Sequence, residues 1–523
     1  MHTKARARLL AVPLLLALTA TACGGGGGGE DAGAPAGGGS YSVEAHEPSF
    51  LGPPGACYES ECSPIIDLLH EGLVDIDLKT NELVYRMAES IESDDQKTWT
   101  VTLKKGYKFQ NGEPVNADAF IRSWNYTAYG PNAAATNGFF ARFEGYDAMN
   151  AEKPTTKELS GLKKIDDYTF EVTLKAPFSQ FQQMLVYPPA FAPAAEECLA
   201  DTKACNEKPI GNGPYQIGKW QHDTQVSIKR WAGYSGERNA NAKEIVFKIY
   251  KETATGFNDY LAGNIDLMQL IPESVPRARQ EASDRLIEED SSSYTYLGLP
   301  TYIDAFKDPR VRHALSLGID REAITENILV GTEQPATSAV APIVEGHRTD
   351  ACDYCTYDPE RAKQLMKEAG GLPGGKITIY FNSGSGHEEW TQAVGNEWKR
   401  LFGVDFELKS LDFAEYLEKL DADTLDGSFR LGWLMDYPSM ENYLQPMYGK
   451  DGSSNYTRYT SDKFEALMAK ADAASSTEES VKFYQQAEDV VLEDLPIIPL
   501  WAGQDLFVYS ENLENVKYNA LDG

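Results

Sequence analysis

The chain has 523 residues, of which 79 are acidic and 48 are basic, so its formal net charge is −31 at pH 7. Such a charge argues against nucleic acid and against anionic lipid as partners, because both carry negative charge themselves. The length is sufficient for more than one hydrophobic core.

The first residues have the pattern of a secretory signal. Lys4, Arg6 and Arg8 precede an apolar run, Leu9–Ala20, and small residues follow it. The run is too short to span a bilayer as a permanent helix. Residues 1–22 are therefore predicted to be a signal peptide that directs the chain out of the cytoplasm.

A cysteine and a glycine-rich segment come next. Cys23 follows small residues and resembles the acylated cysteine of a bacterial lipobox, although Ala20 stands where an aliphatic residue is usual. That resemblance implies a lipid anchor on the outer face of the cell membrane, and ordinary cleavage near Ala22 is the alternative. Residues 23–40 contain glycine runs that cannot bury apolar surface, so we predict a flexible tether.

Six further cysteines form three close pairs along the chain. Export to an oxidising compartment makes disulfides the default, although other connectivities are possible. A zinc site is the rival, but no pair has nearby histidines at the spacing of a zinc finger. We expect the bridges Cys57–Cys62, Cys198–Cys205 and Cys352–Cys355.

The segment from Thr98 to Phe120 indicates a strand, a turn and a helix. Threonines alternate with apolar residues up to Leu103, as in a half-buried strand. Asn111-Gly112 suits a tight turn, and Asn116 can cap the following helix. In this order the residues resemble the signature of the family 5 solute-binding proteins, which deliver peptides, nickel and related solutes to ABC importers.

Two further segments strengthen this resemblance. Pro209–Tyr215 looks like the family's glycine turn before a strand, where Gly211 and Gly213 permit a tight backbone turn. Asp308–Ile324 looks like the family's entry into the second lobe, with Asp308 as a helix cap.

The pattern of elements and the resemblance together predict the architecture. Helical and strand patterns alternate irregularly, which indicates a mixed α/β protein. The resemblance implies a two-lobe, periplasmic-binding-protein-like fold of type II, with an extra subdomain in the first lobe. The first lobe would hold residues 41–306, with the subdomain at about 76–200, and would be completed by 492–523. The second lobe would hold 307–491, and two crossings near 299–307 and 496–502 would form the hinge.

The segment Phe429–Leu444 contains the best candidate for a ligand site. Apolar and other residues alternate from Phe429 to Met435, which predicts a strand that ends at Asp436, beside Trp433 and Tyr437. A carboxylate in an aromatic-lined cleft suits an ammonium group, because the charge pair and cation–π attraction act together. A helix cap or turn residue is the structural alternative for Asp436.

The same segment resembles the Gly-Trp-x-x-Asp-Tyr sequence of oligopeptide- and dipeptide-binding proteins. The resemblance implies that Asp436 holds the peptide α-amino group, that Gly432 and Leu434 offer main-chain partners, and that Trp433 walls a side-chain pocket. The chain then departs from the family pattern, because many members continue Asp-Tyr-x-Asp-Pro, whereas this chain has Pro438-Ser-Met440 after Asp436-Tyr437.

Four further candidates are less specific. His387 and Arg430 are candidates for a peptide carboxylate, since arginine binds carboxylates with two parallel hydrogen bonds. Phe413 stands where relatives carry a cleft aromatic residue, and Glu59 is a possible second carboxylate. Their alternatives are a helix-capping histidine, a structural ion pair for Arg430 and a core position for Phe413.

No catalytic constellation is present in the sequence. His387-Glu-Glu-Trp-Thr391 lacks the second histidine of a zincin, and no nucleophile elbow, dinucleotide fingerprint or Walker A motif occurs. The sequence therefore predicts a protein that is not an enzyme and has no cofactor or metal. The resemblance implies a monomeric receptor, which binds a peptide and passes it to ABC permease and ATPase subunits. A non-peptide solute, such as a metal chelate or oligosaccharide, is the alternative, and a secreted hydrolase is a further one.

Overall fold

A computed structural model describes residues 38–77, 82–251 and 253–519 of the protein. The strands are β1 (Ser40–Ala45), β2 (Val74–Ile76), β3 (Leu83–Tyr85), β4 (Ala88–Glu92), β5 (Thr98–Leu103), β6 (Leu162–Asp166), β7 (Thr169–Thr173), β8 (Tyr215–Gln221), β9 (Gln225–Arg230), β10 (Glu244–Ile249), β11 (Leu267–Gln269), β12 (Leu286–Gly298), β13 (Glu333–Pro335), β14 (Lys376–Asn382), β15 (Asp405–Leu411), β16 (Ser428–Trp433) and β17 (Ile497–Tyr509).

The α-helices are α1 (Ser63–Leu69), α2 (Ala117–Ala128), α3 (Tyr146–Met149), α4 (Phe181–Met184), α5 (Pro188–Phe191), α6 (Glu196–Ala200), α7 (Thr202–Glu207), α8 (Thr253–Leu261), α9 (Val275–Glu281), α10 (Pro309–Leu317), α11 (Arg321–Asn327), α12 (Pro359–Glu368), α13 (Glu388–Phe402), α14 (Phe413–Asp421), α15 (Glu441–Tyr448), α16 (Asp462–Asp472) and α17 (Thr477–Asp494). Short 3₁₀ helices lie at Gly130–Asn132, Asn137–Phe140, Pro272–Ser274, Ser283–Arg285 and Asp304–Phe306.

The largest sheet has the strand order β15-β14-β16-β12-β17-β11-β1-β10-β9-β8, and β13 also pairs with β17. Strands β12 and β17 are each 13 residues long and run antiparallel through its middle. Their register shifts between Asp290 and Tyr294. These two strands therefore join the strands of residues 376–433 to those of residues 40–269.

A separate four-stranded sheet, in the order β4-β5-β7-β6, contains the strand of the segment that carried the family resemblance. Trp99, Val101 and Leu103 of β5 are buried, as their alternation predicts. The Asn116 side chain accepts a hydrogen bond from the Ala119 N–H at 3.2 Å and so caps α2. The strand and the capped helix predicted from the sequence are confirmed.

Four clusters of buried side chains form the interior. The large core draws its residues from between Tyr294 and Trp501. The small-sheet core surrounds the four-stranded sheet between Leu73 and Cys205, and it also includes Tyr437. Two smaller clusters pack beneath β8–β10 and beneath α8 and α9. The separate packing of the small-sheet core agrees with the idea of a subdomain, while the lobe boundaries stay a prediction.

The glycines of the segment Pro209–Tyr215 are needed for a reason that the sequence did not show. A Cβ on Gly211 would lie 1.9 Å from the Leu69 carbonyl oxygen, and one on Gly213 would lie 2.7 Å from the His70 nitrogen. Neither glycine has a positive φ. Close approach to the end of α1, rather than a special turn conformation, therefore excludes a side chain at both positions.

The helix predicted from Asp308 is also present. Asp308 accepts a hydrogen bond from the Arg310 N–H at 2.9 Å at the start of α10, and Asp320 caps α11 in the same way. Within the described ranges, no helix combines the length and the apolar character needed to cross a membrane. The predicted signal peptide, Cys23 and most of the predicted tether lie outside the described residues.

Six cysteines of the described chain are joined as three disulfides. The Cα atoms are 6.3, 4.9 and 5.4 Å apart in the pairs Cys57–Cys62, Cys198–Cys205 and Cys352–Cys355. Each bridge closes a short loop, because its cysteines are only 3 to 7 residues apart in sequence. The bridges therefore fix local loops and do not join distant elements.

Candidate functional site

A cavity of ≈ 810 Å³ lies between the small-sheet core and helices α15 and α16. Phe139, Arg142 and Tyr146 form part of one wall. Trp433 and Asp436 form part of the opposite wall, at the end of strand β16. A cavity of this size, between two separately packed cores, fits the usual place of a ligand site in a protein.

Asn442 fixes the position of Asp436. The Asp436 N–H donates to the Asn442 Oδ1 at 2.8 Å, and the Asn442 Nδ2 donates to the Asp436 Oδ2 at 3.0 Å. The Trp433 Nε1 donates to the same Oδ1 at 3.3 Å. Asn442, in the first turn of α15, thus holds both the carboxylate and the indole. Asn442 was not predicted from the sequence. The only signal for it is its position in the first helical turn after Asp436.

Desolvation of the Asp436 carboxyl makes its ionised form energetically unfavourable. Burial raises the pKa of its carboxyl from the ordinary 3.8 to about 7, and the hydrogen bond from Asn442 opposes this shift only in part. The negative charge of Asp436 in turn raises the pKa of the Tyr58 hydroxyl, which faces the same cavity. An approaching cation would favour the ionised carboxylate and reverse this cost.

Tyr437 also lines the cavity but is engaged within the protein. Its hydroxyl donates to the Glu441 carboxylate, and its ring is buried in the small-sheet core. Tyr437 therefore connects the end of strand β16 to the opposite core. Its ring still forms part of the aromatic wall beside Asp436.

Strand β16 leaves one edge open beside this carboxylate. It pairs with β12 from Phe429 to Trp433, whereas β14 pairs with it only at Ser428 and Phe429. The Tyr416 hydroxyl donates to the Arg430 carbonyl oxygen at 2.6 Å, on the edge that faces away from β12. Because backbone groups alternate between the two edges of a strand, the Gly432 main chain faces the same way.

Gly432 and Leu434 are both exposed along this open edge, and the Leu434 side chain is 57% exposed. Neither residue lines the cavity. They lie instead beside it, where an extended chain can pair with the edge of β16.

Arg430 and His387 form a second polar group outside the cavity lining. The Arg430 Nη1 donates to the Asn382 Oδ1 at 3.3 Å, while its Nε lacks a partner among the described residues. The His387 Nδ1 accepts from the Trp390 Nε1 at 3.2 Å, and its buried Nε2 likewise lacks a described partner. His387 occupies the N-cap position of α13 but makes no side-chain capping bond, so capping does not explain it.

Two pKa shifts leave Arg430 as the charged residue of this second group. Burial, with the nearby Arg430 charge, lowers the pKa of His387 to about 3, so the ring is neutral at pH 7. Burial raises the pKa of Glu333 to about 8, against the opposite effect of Arg430. Glu333 was not predicted from the sequence. Arg430 is therefore the positive centre of this group.

Glu59 and Phe413 do not lie in the cavity. The Glu59 carboxylate accepts hydrogen bonds from the Ser49 N–H and, at 2.9 Å, from the Ser49 hydroxyl. The turn presents the neighbouring Tyr58 to the cavity instead. Phe413 is 50% exposed at the start of α14, so the core alternative for it is wrong.

Arg142 connects the two walls of the cavity. Its guanidinium donates to the carboxylates of Glu441 and Asp472, the latter at 3.0 Å, and lies 4.1 Å from the centre of the Phe178 ring. Burial raises the pKa of Asp472 to about 6, although Arg142 acts in the opposite direction. This ion-pair cluster joins the small-sheet core to α15 and α16. Its members are about three hundred residues apart, so no local pattern indicates it.

Comparison with known proteins identifies the family. The model of the bacterial extracellular solute-binding proteins, family 5 Middle, matches residues 82–455. The chain belongs to this family. Its members are binding proteins that act outside the cytoplasm, which confirms the predicted class of protein.

Three relatives illustrate the range of this family. The chain is 27% identical over 484 residues to the oligopeptide-binding protein OppA of Bacillus subtilis (strain 168), with 88% of this chain and 87% of that protein covered. It is equally 27% identical over 460 residues to a probable deoxycholate-binding periplasmic protein, YgiS, of Escherichia coli (strain K12), with 85% and 84% covered. The solved structure of the Escherichia coli murein tripeptide binding protein MppA has a TM-score of 0.77 at 24% identity, covering 91% of this chain and 95% of that one. This similarity confirms the two-lobe, type II fold.

Proposed function

We propose that this family 5 protein binds peptides in extended form outside the cytoplasm and delivers them to an ABC importer. The single observation that carries the proposal is the Asp436 carboxylate, which lies half-buried in the cavity lining beyond the end of an open strand edge. Within the described ranges, no basic side chain forms an ion pair with it. A ligand ammonium would supply the missing charge.

Six of the predicted site residues then have a role along the bound peptide. Asp436 binds the α-amino group, and Trp433 contributes an aromatic face to it. The main chain of Gly432 and Leu434 pairs with the peptide backbone, which gives affinity without reading side chains. Arg430, with neutral His387 beside it, binds the carboxylate at the other end. The names of OppA and MppA, an oligopeptide-binding and a tripeptide-binding protein, support this choice of ligand.

A non-peptide solute is the second candidate. YgiS, whose name indicates deoxycholate, is as similar to this chain as OppA is, so sequence identity does not choose between the ligands. Deoxycholate, an oligosaccharide or a metal chelate without a free amine has no ammonium group to neutralise Asp436. The buried carboxylate therefore favours the peptide.

The proposal also includes the membrane anchor of the protein and its partner subunits. Cleavage after residue 22 leaves Cys23 lipidated, and residues 23–40 let the folded part move above the membrane. The protein acts as a monomer, and the permease and ATPase subunits of the importer receive its closed, loaded form. Closure about β12 and β17 is driven by a ligand that contacts both walls only in the closed form.

Native mass spectrometry and calorimetry test this function on the chain from Gly38 onward. We expect a pool of short peptides with free amines to bind, and their N-acetylated versions to fail. Asp436→Ala should abolish binding, whereas Asp350→Ala, which removes an exposed carboxylate elsewhere, should not change it. Equal binding of acetylated and free peptides would overturn the role of Asp436, and binding of only a bile acid or saccharide would favour the second candidate.

A further inference from the structure

The cavity is far larger than one ammonium group requires. Ligand pockets of roughly 300–1,000 Å³ hold whole drug-sized molecules, and this cavity measures ≈ 810 Å³. Asp436 lies in its lining, but Arg430 and His387 do not. The cavity therefore extends from the amino-terminal end of the proposed peptide, away from its carboxylate. The side chain of the first peptide residue is the group that can enter it.

The charge of the lining is strongly one-sided. Among the described residues that line the cavity, five are acidic and Arg142 alone is basic; the acidic ones are Asp436, Glu441, Asp451, Glu465 and Asp472. Arg142 is engaged by Glu441 and Asp472. Asp436 is assigned to the α-amino group, so Asp451 and Glu465 are the carboxylates left to act on a side chain.

A hydrogen bond fixes the position of the Glu465 carboxylate. Its Oε1 accepts a hydrogen bond from the Lys450 N–H at 2.7 Å, which holds the carboxylate of α16 against the loop after α15. Asp451, the next residue of that loop, is exposed and reaches the cavity from the same side. The two carboxylates therefore form the outer, solvent-accessible part of an acidic wall.

Aromatic rings provide an independent indication of the ligand's charge. Five of the described lining residues are aromatic, namely Tyr58, Phe139, Tyr146, Trp433 and Tyr437. Tyr58 is half exposed although it is large and apolar in its ring, so its face is available to a ligand. Aromatic faces attract cations and accommodate the methylene stem of lysine or arginine. An anionic side chain would meet both the carboxylates and the negative faces of these rings.

We infer that the cavity is a subsite for a cationic side chain, so that the protein prefers peptides whose first residue is lysine or arginine. The inference rests on the proposed peptide function and adds the class of peptide. The preference comes from Glu465 and Asp451 together with the aromatic wall. Because Asp451 is solvent-accessible, added salt weakens the preference.

Calorimetry with three matched peptides tests this inference. Lys-Ala-Ala, norleucine-Ala-Ala and Glu-Ala-Ala share a free amine, a free carboxylate and one length, so they differ only at the first side chain. We expect the lysine peptide to bind roughly tenfold more tightly than the norleucine peptide at low salt, as one charge-assisted hydrogen bond provides. The glutamate peptide should bind most weakly.

Variants of Glu465 and Asp451 test whether these two carboxylates cause the preference for a cationic first side chain. Glu465→Gln and Asp451→Asn should each reduce the ratio of the affinity for Lys-Ala-Ala to that for norleucine-Ala-Ala several-fold. Glu326→Gln, at an exposed carboxylate of α11 outside the cavity lining, is the matched control and should leave this ratio of affinities unchanged. Equal binding of the three peptides would overturn the cationic subsite alone. Failure of all three to bind would instead contradict the proposed peptide function.

Discussion

Replacing Arg142 with methionine should weaken ligand binding without a change in any residue proposed to contact the peptide. Methionine keeps much of the length of arginine and its contact with Phe178, but it leaves Glu441 and Asp472 without their partner. The side chains of these two acids are only 3% and 13% exposed. Removing one partner of a buried pair costs about 3–5 kcal/mol because the remaining charge stays buried.

The exposure of Arg142 reduces this figure. Its side chain is 29% exposed, so water already screens part of the interaction. We therefore expect a cost of about 1–3 kcal/mol. Arg142 lies on the small-sheet core and its partners on α15 and α16, so opening the cavity would return all three groups to water. The cost falls on the closed form, and apparent affinity should drop roughly 5- to 150-fold.

Calorimetry with a tripeptide that binds the parent protein measures this loss, and small-angle scattering measures the shift toward an open form. Arg279→Met is the matched control, because the pair of Arg279 with Glu288 is about 40% exposed on both sides and should contribute little. Adding Asp472→Asn to Arg142→Met should recover part of the affinity by removing one unpaired charge. Parent-like affinity in Arg142→Met would refute the reasoning.

Four further predictions concern Asp436, its partner Asn442 and the anchor. Because the pKa of Asp436 in the unliganded fold is about 7, peptide affinity should fall about tenfold per unit below that pH, and calorimetry there, in buffers of different ionisation enthalpy, should detect proton release on binding. Affinity should also fall above about pH 8, where the α-amino group of the peptide loses its own proton. The same raised pKa means that ionised Asp436 destabilises the fold, so Asp436→Asn should stabilise the unliganded protein by about 2–4 kcal/mol at pH 8 and by almost nothing at pH 3 in chemical denaturation. Asn442→Ala should weaken peptide binding about tenfold by freeing both Asp436 and Trp433, with circular dichroism to verify folding. Cys23→Ala should abolish incorporation of labelled fatty acid, and continued labelling would contradict lipidation at this residue.

Much of the fold could be predicted because it depends on local chemistry. The alternation from Thr98 to Leu103, the Asn116 cap and the Asp308 cap each act within a few residues, and each is present in the structure. The strand that ends near Asp436 follows from the same kind of pattern. Local periodicity does not show which strands are neighbours, so the central places of β12 and β17 were not predicted. The family resemblance implied only that the chain crosses between the lobes near 299–307 and 496–502.

The parts of the site that could not be predicted depend on contacts between distant residues. Arg142 and Asp472 are 330 residues apart, and neither has a sequence context that names a partner. The sequence does not show whether Tyr58 or Glu59 lines the cavity, because this depends on which side chain a single turn directs inward. In the structure Ser49 donates a hydrogen bond to the Glu59 carboxylate, and Tyr58 lines the cavity. Glu333 joins the group around Arg430 through the short pairing of β13 with β17, which no motif marks.

The two buried charge groups of the cavity have opposite effects on closure. The Arg142 cluster is complete within the protein, so it stabilises contact between the walls whether or not a ligand is present. Asp436 has no cationic partner among the described residues, and burial makes its ionised form unfavourable until a cation binds. In the proposed function, a ligand with a free ammonium would remove a cost that exists mainly in the closed form, and that difference would shift the equilibrium toward closure. An acetylated peptide of the same length would leave the cost in place, so the residue proposed to select the ligand would also make closure depend on it.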